Sequence, residues 1–164
     1  MLWRTHFLAG AAAGLLVSGA SGNAETIVAS AAVAGVAALL PDLDATRSKV
    51  GRLFPVLSWV IKKVAGHRGP LHSLLGAAGI YVLANAFLHA PARFLIPAIV
   101  VGYLSHVVLD SFTPQGCPWL WPLNKYLAVP FTHTGGSLEK VVIFPALLVL
   151  DAALIWSAIK AIQA

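Results

Sequence analysis

The chain has 164 residues, of which 59% are hydrophobic and only 10% charged, with a mean hydropathy of +0.83. Soluble domains carry about 25% charged residues, so this composition excludes an ordinary water-soluble globule and leaves the membrane as solvent. The net charge of +5 does not mark a nucleic-acid binder, because six of the eleven basic residues crowd into one segment between Asp44 and Pro70 instead of forming a basic face.

The first predicted span covers residues 5–22, within an uncharged run bounded by Arg4 and Glu25; that is about the length a crossing helix needs. A charged start, an apolar stretch and a small-residue end also fit a signal peptide. His6 at the lip and the Gly10/Gly14 small-xxx-small face favour a retained, packed helix. A turn at Ser21-Gly22-Asn23 leads to a second apolar span, 25–40, which Pro41 stops. Asp42 and Asp44 follow at once.

Residues 45–66 mix Leu53, Phe54, Leu57 and Trp59 with Arg52, Lys62 and Lys63. Too short and too charged to cross, the segment reads as a helix lying among the headgroups. A third span, 71–88, carries Gly76 and Gly79 for close packing; Pro91 turns the chain into a fourth, 93–111. Four prolines (Pro114, Pro118, Pro122, Pro130) with Trp119 and Trp121 make 112–137 a surface or re-entrant loop. The single cysteine, Cys117, lies in it; it excludes an internal disulfide and a thiolate-rich zinc site, and reads as a packed residue. The last span is 138–162. The expectation is an all-α, polytopic membrane helical bundle, one integral membrane domain over 1–164, with about five transmembrane helices plus one interfacial helix.

Placing the amino terminus in the cytoplasm puts nine basic residues inside and leaves Arg93 and Lys160 outside, in accord with the positive-inside rule. That topology gathers His6, Asp42, Asp44, His67, His72, His106, Asp110 and Glu139 at the inner ends of the spans. His106 and Asp110, four apart, share a helix face, and Gly10, four after His6, leaves room beside its ring. Imidazole with carboxylate and no thiolate suits zinc, with iron or manganese as alternatives. The expected metal ligands are His6, Asp42, His67, His72, His106 and Asp110. These exceed one four-coordinate site, so either some carboxylates orient imidazoles or two ions sit about 3.5–4 Å apart. His89 reads as structural, and nothing fixes His133 as a ligand. Asp151 is mid-span, where it is expected to be protonated or hydrogen-bonded, with Asn85 at similar depth as a partner.

Gly66-His67-Arg68-Gly69 followed by His72-Ser73 resembles the Gly-His-Arg-Gly-x-Thr-His-Ser signature of the YdjM-like family of bacterial and archaeal inner-membrane proteins. His6 with Gly10, Pro41-Asp42-Leu43-Asp44 and Gly102-Tyr103-Leu104-Ser105-His106 with Asp110 fall in the family's order. So do Thr113 with Gly116 and Pro122, and Thr134-Gly135 followed by Glu139. The resemblance covers nearly the whole chain. Leu71 stands where threonine is usual, which removes a hydroxyl, and Ala45-Thr46 stands where His-Pro is common, which removes a ligand.

The resemblance implies a metal-dependent hydrolase. A more distant similarity to zinc-dependent phospholipases C and related nucleases implies phosphoester chemistry. The expected function is hydrolysis of a phosphoester in a lipid or lipid-linked substrate at the cytoplasmic leaflet. Arg68 would pair with the phosphate, and Glu139 or Asp44 would serve as general base or acid. A ceramidase-like amide hydrolase and a non-enzymatic metal-binding membrane protein are the alternatives. The small-residue helix face permits self-association without requiring it.

Overall fold

The computed structural model describes residues 1–18, 23–66, 68–123 and 125–163. His67 and the Ser21-Gly22 part of the first expected turn lie outside the described residues. Seven α-helices follow in order: α1 Trp3–Ser18, α2 Ala24–Ala37, α3 Lys49–Leu53, α4 Pro55–Ala65, α5 Leu74–Phe87, α6 Ile96–Ser111 and α7 Phe144–Gln163. Short 3-10 turns at Pro41–Asp44, Pro70–His72 and Ala92–Leu95 join some of them, and a π-helical stretch, Glu139–Ile143, leads into α7. Among the described residues no strand forms, and the isolated antiparallel pairing of Cys117 with Leu127 closes the long loop.

Local chemistry sets the helix starts. The Asn23 side chain accepts the Thr26 amide at 2.9 Å, Ser48 accepts that of Gly51 at 2.8 Å, and Ser73 caps α5, each supplying a partner to an otherwise orphaned N–H. Pro55 opens α4 where its missing N–H costs nothing. Gly66, at φ 75°, ends it in a conformation glycine adopts freely.

Among the described residues three segments are long and apolar enough to cross a membrane: Ala24–Asp44, Ala92–Ser111 and Glu139–Gln163. The expected count of five is not reached on this measure. Leu74–Phe87 is apolar but has only 14 residues, about 21 Å at 1.5 Å per residue, against a hydrocarbon core of about 30 Å. Along α7 Val149, Ile155, Trp156 and Ile162 are exposed, the surface expected of a helix solvated by lipid. Leu53, Phe54, Val56, Trp59 and Val64 are likewise exposed on α3 and α4, with Lys63 Nζ 4.9 Å from the Trp59 ring.

Small residues hold the bundle together. A Cβ on Gly10 would lie 2.6 Å from both the Ala34 carbonyl oxygen and the Ala38 Cβ, and one on Gly14 would strike Ser30. One on Gly102 would overlap the Ala34 carbonyl. α1, α2 and α6 therefore converge on a fully buried Ala34, the close backbone approach that small residues permit. Gly10 thus makes room for α2, because that face of α1 is turned towards its neighbour. Gly76 is packed against Tyr103 and Pro70 as expected, whereas Gly79 faces open space. On the other side of α6, Ala77 of α5, Tyr103, Val107 and Cys117 form one apolar cluster; Leu15, Ile27 and Ala158 tie α7 to α1 and α2.

Candidate functional site

The α1–α2–α6 contact brings the start of α1, the turn after α2 and the end of α6 to one place, and the Pro70–His72 turn before α5 completes it. His6, His72 and His106 are all fully buried there, with Asp44 and Asp110 beside them. Asp42 is half-buried.

His106 is the best-defined member. Its Nδ1 lies 2.7 Å from the carbonyl oxygen of Ala38. A carbonyl only accepts, so Nδ1 carries the proton and Nε2 presents its lone pair. That Nε2 lies 3.2 Å from His72 Nε2, 3.8 Å from Asp110 Oδ2 and 4.0 Å from Asp42 Oδ1. His72 Nδ1 is 3.0 Å from Asp44 Oδ2, which leaves its Nε2 as the nitrogen facing His106. The His6 ring stacks on His106 with centroids 3.8 Å apart, while His72 meets it edge-on at 5.0 Å. His6 Nε2 is 3.2 Å from Asp110 Oδ1, yet neither ring nitrogen makes a hydrogen bond of proper geometry. Among the described residues two sets of donor atoms lie close enough together to hold an ion: His6, His106 and Asp110, and Asp42, His72 and His106.

Arg68 locks this arrangement. Its φ of 56° is left-handed, a strained conformation for a residue with a side chain, and its amide donates to Asp44 Oδ2 at 3.0 Å. Nη1 donates to Thr113 Oγ1 at 3.0 Å and to the Gly116 carbonyl at 2.7 Å, and Nη2 pairs with Asp110 Oδ2 at 2.5 Å. Nε is buried without a partner. Gly116, at φ 62°, has no room for a Cβ beside Leu127. Asp110 Oδ1 also pairs with the Met1 amino group.

Of the residues singled out in the sequence, His6, Asp42, His72, His106 and Asp110 come together, with Asp44 and Arg68 in contact with them. Glu139 is fully buried but has both oxygens engaged elsewhere: Oε1 accepts the Leu2 amide and Oε2 the Gly135 amide, each at 2.6 Å. His89 and His133 are exposed and outside the cluster. The expected Asp151–Asn85 bond does not form; Asn85 instead donates to the Tyr81 carbonyl and accepts from Arg93, and Asp151 Oδ1 is buried without a hydrogen bond. Cys117 is fully buried, and its thiol is pushed up to about 12, by burial first and by the negative charge of Asp110 second, so it is no nucleophile at neutral pH.

Four holders of the site escaped sequence reasoning. The Ala38 carbonyl carries no side-chain signal. Thr113 and Gly116 were noticed only as motif members, with no hint that Arg68 binds both. At Leu71 the backbone matters more than the unusual side chain, because its carbonyl receives the Tyr103 hydroxyl at 2.5 Å. Beside the cluster lies a cavity of about 480 Å³ whose lining includes Asp42, Asp110 and Arg68 together with Arg47, Lys49 and Arg52.

Residues 1–163 match the family described as YdjM inner membrane protein. The protein YvsG of Bacillus subtilis (strain 168) is 31% identical over 144 residues, 87% of this chain and 88% of its own length. The inner membrane protein YdjM of Escherichia coli (strain K12) is 38% identical over 111 residues, and its namesake from Shigella flexneri matches equally. Those matches cover 63% of this chain and 56% of the relatives, so the similarity spans little more than half of their length. No solved structure matches.

Proposed function

This chain belongs to the YdjM family of inner membrane proteins, and we propose that it is a metal-dependent hydrolase acting on a phosphoester of a lipid or lipid-linked substrate. The observation that carries the reading is the His6 imidazole, wholly buried with no hydrogen bond of proper geometry at either nitrogen, although Nε2 lies 3.2 Å from Asp110 Oδ1. Leaving a buried polar group unsatisfied costs about 1–3 kcal/mol. Three imidazoles and two carboxylates turned towards one another offset that cost when they share a divalent ion. The donor set, nitrogen and oxygen without sulfur, suits zinc, with iron or manganese as alternatives.

The two donor sets share His106 Nε2. With Nδ1 committed to Ala38, this ring has one lone pair to give, and one lone pair serves one ion. The sets are therefore alternative descriptions of one centre, which favours a single ion over a pair bridged through His106.

When bound, the ion would supply Lewis acidity towards water and a phosphoryl oxygen. The chain's own groups fall into supporting roles around it. Asp44 holds Nδ1 of His72 and so aims Nε2, as carboxylates behind metal-bound imidazoles do; it acts through His72 as a positioning residue. Arg68 supplies a fixed positive charge beside the centre, its plane set by Asp110, Thr113 and Gly116. Glu139, with both oxygens on backbone amides, serves as a tether between the chain start and the loop before α7. In this reading α1 and α5 join the three long apolar helices as crossing segments, the amino terminus is cytoplasmic, and α4 lies among the headgroups of the inner leaflet.

Purified protein given zinc, manganese or iron together with total membrane lipid provides the test, with products identified by mass spectrometry. Release of a phosphate-bearing fragment, lost in His72→Ala, is the expected result. Release of fatty acid from an amide would support the ceramidase-like alternative. Stoichiometric metal with no product under any condition would leave a non-enzymatic metal-binding protein.

A further inference from the structure

We infer that the cavity lined by Arg47, Lys49 and Arg52 beside the His/Asp cluster is a recognition subsite for a multiply anionic phosphate group, a phosphomonoester or diphosphate, and not for a zwitterionic headgroup. The inference deepens the reading above by naming a substrate class.

One short stretch of chain builds the subsite. Asp42 sits in the turn after α2, and the Ser48 hydroxyl donates to the Asp42 carbonyl at 2.8 Å while capping α3. Gly51 packs so tightly that a Cβ would collide with the Ala45 carbonyl. The helix bearing the cations is thereby fixed to the turn bearing the cluster's carboxylate. Lys49 and Arg52, three apart on α3, share a face, and Arg47 precedes them. In the sequence these residues counted only towards orientation; in the fold they line the same cavity as Arg68, Asp42 and Asp110.

Charge then decides the ligand. Five cationic groups, counting the Met1 amino group, and two carboxylates line the space; Arg68 and the Met1 amino group already pair with Asp110, and Asp42 faces the cluster, where a divalent ion would neutralise it. What remains is an excess of fixed positive charge with guanidinium groups suited to phosphate oxygens. Arg68, which lines the same space, has Nη1 and Nη2 committed to Thr113, Gly116 and Asp110, so Arg47, Lys49 and Arg52 supply the free charge. A headgroup ending in a quaternary ammonium needs an aromatic face. Trp3, the aromatic residue lining the cavity, already has Arg4 at 5.5 Å and Lys49 at 5.6 Å from its ring. The volume is in the range of small-ligand sites.

The test is binding to full-length protein in detergent, with metal and after chelation. The probes are phosphatidic acid, phosphatidylglycerol and phosphatidylcholine in mixed micelles, and inorganic pyrophosphate free in solution. Expected is a preference of about tenfold or more for phosphatidic acid over phosphatidylcholine, with phosphatidylglycerol between, lost when Arg47, Lys49 and Arg52 are all changed to Gln. Lys62→Gln with Lys63→Gln removes charge from α4 outside the cavity and should leave the preference intact. Competition by pyrophosphate places lipid and soluble phosphate in the same subsite; pyrophosphate binding without phosphatidic acid binding assigns the site to a soluble ester. Equal binding of all lipids, or equal loss in the α4 variant, overturns the inference. The chelated arm separates the two readings: a preference that survives without metal stands even if the metal centre fails. Unchanged metal content in the triple variant shows that its cluster is intact.

Discussion

His106 is held by a group that no side-chain pattern displays, the Ala38 carbonyl at 2.7 Å, and this bond decides which nitrogen can ligate. Asp44 does the same for His72. The two positions should therefore behave differently on substitution. His106→Ala removes a donor and should abolish metal binding, whereas Asp44→Asn should keep the metal but weaken it about 10–100-fold, as read by chelator competition. Cys117 offers a separate check on the packing. Its raised pKa means that thiolate is scarce until pH approaches about 12, so maleimide should leave it unlabelled from pH 6 to 9 in folded protein and label it once the chain is denatured. At this scale the chemistry-bearing residues were legible, because His and Asp at the ends of apolar helices are costly and stand out. Their holders were not, since a backbone carbonyl looks the same at every position and Thr113 and Gly116 reach Arg68 only through the fold.

Helix packing follows from glycine positions, but their roles could be told apart only once neighbours were known. Gly102 meets the Ala34 backbone, while Gly79 meets nothing. Gly102→Val should destabilise the protein by about 1–3 kcal/mol or more, seen as a lower unfolding temperature in detergent. Gly79→Ala should be neutral or stabilise by up to about 1 kcal/mol. Helix starts were readable from Asn23, Ser48, Ser73 and the prolines. The span count was less so, because hydropathy does not reveal that α5 is a 14-residue helix preceded by a tight turn. Nor did the spacing of Gly10 and Gly14 say that Ala34 and Ser30 of α2 are what they admit.

Across the whole molecule, residues from position 6 to position 110 meet at one end of a small-residue bundle, and the basic segment 47–52 flanks them. The convergence was visible in outline, since each motif fell at the same end of its helix once the chain was threaded back and forth. Its geometry was not, and the proposal of a single ion rests on that geometry. The direct measurement is elemental analysis of purified wild type beside His72→Ala and His106→Ala, each checked for folding by its unfolding transition. One zinc, iron or manganese ion per chain in wild type, and none in either folded variant, is the expected result. No metal in wild type, two ions per chain, or metal retained in folded His106→Ala would contradict it.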